Sequence, residues 1–489
     1  MMPAVRIACP LGTLALLPAR EWSSRIGDLL RSGARLVSMF GRPDVQEHAV
    51  LTAVLQGAEG ALEVVRGTAA RAIGVHTLTR DFPAAHVFER EMHEQLGIRI
   101  ADHPWLKPIR YEGAGVGRMT DYPYYRLEGK EVHEVAVGPI HAGVIEPGAF
   151  RFSCLGETVH HLEIQLGYQH RAAEELLLRG DPFTRTPLIE TVAGDSSIAH
   201  AWAHCAALES LAAVAITPGV DASRTVGLEL ERIAMHLATL AGLAQDIGFA
   251  QGAATYGRLR TTAINTSMRL CGSRFGRGWL RPGGSLVAMD AAVAAVVRGD
   301  LELLRRDVSI INTRFLGSTT VQHRLRGVGE VALRDAKALG LVGVVGRASG
   351  VPLDQRTNLW LLDGAHTHEP CVETTGDCWA RARVRIREID RSIALVSDAI
   401  DRFGAFTATR APVRSLAPDT LVVSIVEGVR GEVMHAIETD AAGRVRHYKL
   451  QDPSLRNWFG LALALRGNDI SDFPICNKSF DLSYCGNDL

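Results

Sequence analysis

The chain has 489 residues, 47% hydrophobic and 22% charged, which is enough apolar material for two or three packed cores and excludes a disordered chain. Its 53 basic and 54 acidic residues leave a formal net charge of -1, so nucleic acid is not expected as a partner. Eight cysteines (Cys9, Cys154, Cys205, Cys271, Cys371, Cys378, Cys476, Cys485) stand singly, with no CxxC pair and no secretory signal before them, which is the usage expected in a reducing cytoplasm.

In chain order, strand-like runs at Leu36 to Phe40, Ala49 to Leu55 and Ala61 to Val65, then a helical stretch from Ala84 to Leu96, predict a small α/β unit. Gly113-Ala114-Gly115-Val116-Gly117 has the composition of a hinge and sets the expected domains at 1–117 and 118–489. Beyond it, Leu230, Ile233, Leu237, Leu240, Ala244 and Ile247 recur at spacings of three and four, as do Ile386, Ile389, Ile393, Val396, Ile400 and Phe403. Two long helices packed as in a bundle are expected there. Arg381, Arg383, Arg385, Arg387 and Arg391 do not share a helix face and are expected to form a solvated or subunit-facing surface. Glu229 and Arg232 are spaced as a helix-surface ion pair. Strands follow at Leu421 to Val426, Val433 to Glu438 and Val445 to Leu450, the last two joined by a turn at Asp440-Ala441-Ala442-Gly443. The expected class is α+β, a small α/β domain followed by a large, mainly helical bundle with a small β element. No apolar stretch approaches the roughly 20 residues of a membrane span, so membrane contact is expected to be peripheral.

Several segments in series carry a resemblance. Asp81-Phe82-Pro83-Ala84-Ala85-His86, Glu89-Arg90-Glu91 and Leu96-Gly97-Ile98 resemble the 30 kDa-type accessory subunit of complex I, here fused in front. Further on stand Gly138-Pro139-Ile140-His141, Glu146-Pro147-Gly148, Glu229-Leu230-Glu231-Arg232, Arg281-Pro282-Gly283-Gly284, Arg347-Ala348-Ser349-Gly350, Arg430-Gly431-Glu432 and Asp452-Pro453-Ser454. That order is similar to the large subunits of energy-converting nickel-iron hydrogenases and formate hydrogenlyases, and to the 49 kDa-type quinone-site subunit of complex I. The resemblance implies a hydrogenase large-subunit-like fold.

In that family two CxxC pairs supply thiolates to a nickel-iron centre, a site that requires soft ligands. Here the matching positions are Ala193 and Ser196 in the first segment, and Ser483 and Gly486 in the last, with Cys485 one place out of register. The chain ends at Leu489 without the tail that maturing hydrogenases remove, and no metal is expected. The pocket between the two segments is then expected to be lined by hydroxyls and carboxylates and to accept a quinone, as the corresponding space does in complex I. There the resemblance implies a tyrosine where this chain has Thr191, and a histidine at Ile145 or, with a short gap, at Ala142 beside His141. His141, Glu146, Asp195, His200 and Asp481 are the candidate proton donors and acceptors, while Thr191, Ser196, Arg430 and Ser483 are the candidate binding positions. His141 and His200 read equally well as histidines satisfied within a loop and a core, and Arg430, preceded by Val429 instead of the usual proline, as a strand-end salt bridge.

The function expected on this resemblance is that of a large electron-transfer subunit at the inner face of the cell membrane, with a non-catalytic scaffold subunit as the alternative. With no clustered cysteines of its own, it would need an iron-sulfur cluster on a partner small subunit. Membrane antiporter-like subunits and a ferredoxin-like subunit are the other partners implied.

Overall fold

The computed structural model describes residues 5–45, 47–113, 117–141, 145–358 and 369–489; the centre of the predicted hinge, 114–116, and Ala142 lie outside them. Strands Arg35–Pro43, His48–Gln56 and Leu62–Ala70 form an antiparallel meander, with Leu16–Pro18 added in parallel to the last. The sequence shows runs instead of strict alternation there because both faces are covered. On one face, Leu36, Met39, Leu51 and Leu55 pack with Trp22 and Ile26 of helix Ala19–Arg31 and with Phe88 and Met92 of helix His86–Leu96. Gly67 lies directly under Trp22, where an added Cβ would come within 2.6 Å of the indole.

The other face meets a second sheet. Val37, Phe40, Val54 and Val64 pack against Leu421, Val423, Ile425, Met434 and Ala436, a sheet-on-sheet contact. That second sheet holds the predicted strands Thr420–Gly428, Gly431–Thr439 and Val445–Gln451, with Val5–Pro10 antiparallel at its edge. The chain's first strand therefore sits in the sheet built from its last strands.

Behind the second sheet lies the bundle, in which Pro218–Asp246, Ala250–Cys271, Ala291–Gly317 and Cys378–Phe403 are the long helices. Three of them start at a side-chain cap, Thr217, Asp290 and Asp377 each accepting from a backbone N–H in the first turn. Helix Ser197–Leu211 runs between bundle and sheet and is buried on all sides apart from Ser210, which is why no amphipathic period announces it. A three-stranded sheet, Val132–Val137, Ala149–Leu155 and Thr158–Gln165, carries the Gly-Pro loop between its first two strands. Among the described residues no helix is long and apolar enough to cross a membrane.

Two expectations of exposure are corrected. Glu229 and Arg232 are both fully buried, and so are Arg381 and Arg385, at 0% and 2% exposure. Arg381 is held by the carbonyls of Gly376 and Gly329 and the Ser479 hydroxyl, and it lies over the Phe480 ring. The periodicity places these side chains correctly around the helix; it does not reveal that the C-terminal helix Phe473–Phe480 covers them.

The seam between the two sheets is closed by Glu432, which accepts from Arg35 at 2.8 and 2.5 Å and from Gln355 at 2.9 Å, with Arg456 3.6 Å away. Burial pushes this carboxyl up, but Arg35 and Arg456 outweigh it and hold it at about 2. The folded state therefore gains stability from it above the ordinary carboxylate range, near 4.5, and loses that gain as pH falls from there toward 2. Glu432→Gln should cost about 3 kcal/mol at neutral pH and flatten the acid limb of the unfolding curve; chemical denaturation at pH 7 and pH 3 checks both.

Candidate functional site

Three strand and helix ends bring the predicted residues together. The loop before helix Ser197–Leu211 carries Asp195 and Ser196; the turn between Thr420–Gly428 and Gly431–Thr439 carries Arg430; the chain just past helix Phe473–Phe480 carries Asp481 and Ser483. Arg430 closes a fork on Asp195 at 2.9 and 2.7 Å, reaches the Ser196 hydroxyl at 3.3 Å and donates to the Asp481 carbonyl. The Asp481 carboxylate lies 3.6 Å from Arg430, 3.1 Å from Lys478 and 2.6 Å from the Thr239 hydroxyl, which donates to it. Burial raises its pKa, yet Lys478, Arg430 and Arg385 hold it well below the usual carboxylate range. Asp481 also adopts a left-handed conformation at φ 55, ending the helix so that the chain turns back toward Ser483. Asp195 keeps a third of its side chain exposed, so the cluster opens to the surface at that carboxylate.

A third carboxylate, Asp452, stands beside this cluster, and sequence reasoning assigns it no role. It accepts from the Ser454 N–H at 2.8 Å and from His200 Nε2 at 3.1 Å. A Cβ added at Gly486 would come within 2.6 Å of its carboxyl carbon. Ser483 is occupied too, its hydroxyl accepting from the Gly486 N–H at 2.9 Å as the cap of helix Tyr484–Asp488.

His200 thus joins the site through Asp452 and not by direct contact with Arg430. Glu146 reaches the site through Cys485, whose thiol is pushed up to about 11 by burial and by that carboxylate. His141 lies in the Gly-Pro loop against Phe150, its ring centroid 6.4 Å away, and its Nε2 is buried without a hydrogen-bond partner among the described residues. Thr191 is turned elsewhere, its hydroxyl donating to Leu188 and its carbonyl held by Arg171. Ile145 is exposed. Thr239 and Asp452 escape a sequence reading because each contributes only through distant chain segments, while Lys478 reaches Asp481 locally, three residues along; the one motif signal is the aspartate opening Asp452-Pro453-Ser454.

These donors do not fit a nickel-iron group. A methyl, two hydroxyls and a hydrogen stand where four thiolates would be required, and Asp452 fills the space a side chain at 486 would use. Cys485 keeps its proton at neutral pH and offers no thiolate. Among the described residues no three His, Cys, Asp or Glu side chains are placed to hold a metal ion.

Residues 246–415 match the family described as the 49 kDa subunit of respiratory-chain NADH dehydrogenase, and residues 39–117 the one described as its 30 kDa subunit. The C/D subunit of the NADH-quinone oxidoreductase of Bacteroides fragilis is 30% identical over 394 residues, covering 71% of this chain and 73% of that protein. The chain belongs to the complex I 49 kDa and hydrogenase large-subunit family. Other members similar to it are the carbon monoxide-induced hydrogenase of Rhodospirillum rubrum, 28% identical over 71% of this chain and 97% of that protein, and formate hydrogenlyase subunit 5 of Escherichia coli, 26% identical over 83% and 76%. In this chain the C-terminal segment contacts both groups, the Asp481 carbonyl accepting from Arg430 and Gly486 lying against the Asp452 carboxylate.

If Asp452 occupies the space at 486, then Gly486→Ala should destabilise the protein by about 1–3 kcal/mol through overpacking. The cost should shrink when combined with Asp452→Ala, a coupling read from a double-mutant cycle of thermal unfolding.

Proposed function

We propose that this chain is the large electron-transfer subunit of a membrane-associated, complex I-like or hydrogenase-related oxidoreductase, and that it passes electrons from a partner's iron-sulfur cluster to a quinone-like acceptor without a nickel-iron centre. One observation carries this reading: the four family thiolate positions are Ala193, Ser196, Ser483 and Gly486, and the space between their segments is organised by Arg430, Asp195, Asp481 and Asp452. Membership of a family whose relatives are named as quinone oxidoreductase, membrane-bound hydrogenase and formate hydrogenlyase subunits supports it.

A quinone when bound would supply two-electron chemistry that consumes two protons. This chain's part is to orient the carbonyl oxygens and supply those protons. His141 Nε2, buried and unpartnered among the described residues, is placed to hold a hydrogen bond in the Gly-Pro loop. Lys478, Arg430 and Arg385 keep Asp481 ionised, so its charge stabilises a nearby protonated group. The donor would sit on an iron-sulfur small subunit, since the eight cysteines include no cluster-binding set. A peripheral position at the inner face of the membrane, beside antiporter-like subunits and a ferredoxin-like subunit, completes the proposal.

A specific observation also favours a second reading, that of a non-catalytic scaffold. The Arg430 fork on Asp195 joins the two segments directly, and among the described residues two cavities where the N-terminal unit meets the large domain, and a third within the large domain, are lined by none of Glu146, Asp195 and Asp481.

The purified assembly separates the two. On the electron-transfer reading it oxidises its donor with added quinone, contains nickel well below one atom per chain, and slows by about 10-fold or more with Asp481→Asn or His141→Ala. Unchanged rates in both variants would leave the scaffold reading standing.

A further inference from the structure

Helix Ser197–Leu211 places His200 and His204 one turn apart, and both point at the second sheet. His435 on strand Gly431–Thr439 meets them there. Tyr448, on the neighbouring strand, stands opposite Ile437, two residues along from His435 on the same face. The result is an unbroken line of contacts. His204 Nδ1 is 2.8 Å from the Tyr448 hydroxyl, that hydroxyl is 2.8 Å from His435 Nδ1, His435 Nε2 is 3.2 Å from His200 Nδ1, and His200 Nε2 is 3.1 Å from Asp452. None of the five is more than 3% exposed.

A line this dry admits few proton arrangements. Burial holds His204 down at about 3 and His435 well below its ordinary value, the latter helped by His200 and His204, and pushes the Tyr448 hydroxyl well up. His204, His435 and Tyr448 are therefore neutral at physiological pH. Each neutral imidazole carries one N–H and one lone pair, and the tyrosine one O–H, so satisfying one contact fixes the next. With Asp452 ionised, His200 Nε2–H donates to it, His435 Nε2–H donates to His200 Nδ1, Tyr448 donates to His435 Nδ1, and His204 Nδ1–H donates to Tyr448. The free lone pair falls on His204 Nε2, the ring nitrogen that is buried without a partner among the described residues.

We propose that Asp452, His200, His435, Tyr448 and His204 form a proton-conducting chain that ends at the Arg430 site. A proton taken up at His204 Nε2 shifts one proton along every link: His204 Nδ1 to the tyrosine oxygen, Tyr448 to His435 Nδ1, His435 Nε2 to His200 Nδ1, His200 Nε2 to Asp452. One proton enters, one arrives on the Asp452 carboxylate, every ring remains neutral, and the hydrogen bonds all reverse direction. Asp452 is the end that faces the site, packed on Gly486 and within the field of Arg430. Arg281, with a fifth of its side chain exposed, is the charged group acting on His204 at the other end, while Cys205 and Glu174 act on Tyr448. The use of the chain, delivering a proton to an acceptor reduced at the site, rests on the electron-transfer reading. Its existence rests on the geometry.

Two measurements test the two parts separately. In the intact chain with ¹⁵N-labelled histidine, the three ring tautomers should follow one continuous donor-to-acceptor order from His204 to His200. Two lone pairs facing each other at any link would overturn the chain, whatever the protein does. In the assembled complex, Tyr448→Phe removes one oxygen and cuts the line. Quinone reduction should fall about 100-fold, as for loss of a positioned proton donor, while reduction of ferricyanide, which accepts electrons and no protons, should be unchanged. Equal loss in both assays, or loss in neither, would overturn the delivery role. Failure of the unmodified complex to reduce quinone at all would sink the electron-transfer reading and the delivery role with it, and the tautomer order would still decide the chain.

Discussion

The position of Arg430, on which the site's fork depends, is set by a buried charge network between the bundle and the second sheet. Glu229 and Arg232 on helix Pro218–Asp246, Glu388 on helix Cys378–Phe403, Arg347, Asp354 and Arg356 between them, and Glu427 on strand Thr420–Gly428 are all within 2% of complete burial. Arg347 bridges Glu388 at 2.9 Å and Glu427 at 2.7 Å, Arg356 joins Asp354 at 2.7 Å to Glu229 at 3.2 Å, and Arg232 donates to the carbonyls of Glu427 and Gly428. Such a network adds little to net stability compared with an apolar core of the same volume, because desolvation offsets most of the attraction. Its effect is on register. Glu427 and Gly428 lie just before Arg430, so Arg232 and Arg347 fix where the guanidinium fork emerges.

That fork in turn explains how a family framework persists without its metal ligands. A four-thiolate site draws two distant segments together by coordination, a bond set of roughly 10–16 kcal/mol in comparable structural sites. Here the same two segments are joined by Arg430, which holds Asp195 and Ser196 from the first and Asp481 from the second. Ionic contacts of this kind are weaker singly, and the structure adds to them: Thr239 and Lys478 also grip Asp481, and the Ser454 hydroxyl accepts from the Ser483 N–H at 2.9 Å.

How much of this could be read from the sequence differs by level. The helices containing Leu230 and Ile386 are legible through period, because each has one face in a core and a more exposed opposite face, and the three strands ending at Leu450, two of them buried at every position, are legible as β-branched runs with a turn at Asp440 to Gly443. Helix Ser197–Leu211 is not, being buried all round, and the strand Val5–Pro10 is too far in sequence from its partner Thr420–Gly428 for any local signal to pair them. At the site, Asp195, Ser196, Arg430 and Asp481 were legible through the family motifs and the structure brings them into contact; Thr191, placed by the same reasoning, faces Leu188. Asp452 stood in a family segment with no role attached, and His435, Tyr448 and His204 carried no motif. Their relation is created by one helix crossing two strands, which is tertiary information.

The two buried polar systems differ in what they can do. An arginine holds its proton at any physiological pH, so a network built on Arg232, Arg347 and Arg356 is electrostatically fixed and serves as a frame. Imidazoles and a phenol exchange one N–H or O–H for another at no change in their own charge, so the line from Asp452 to His204 can reverse with the entering proton neutralising Asp452 and no ring left charged. The strands Thr420–Gly428 and Gly431–Thr439 carry both systems, Glu427 on the first and His435 on the second, with Arg430 at the turn between them. A single hairpin thus fixes the anion-holding guanidinium with one strand and aligns the transferable protons with the other. Any displacement of that hairpin would disturb charge and proton position together.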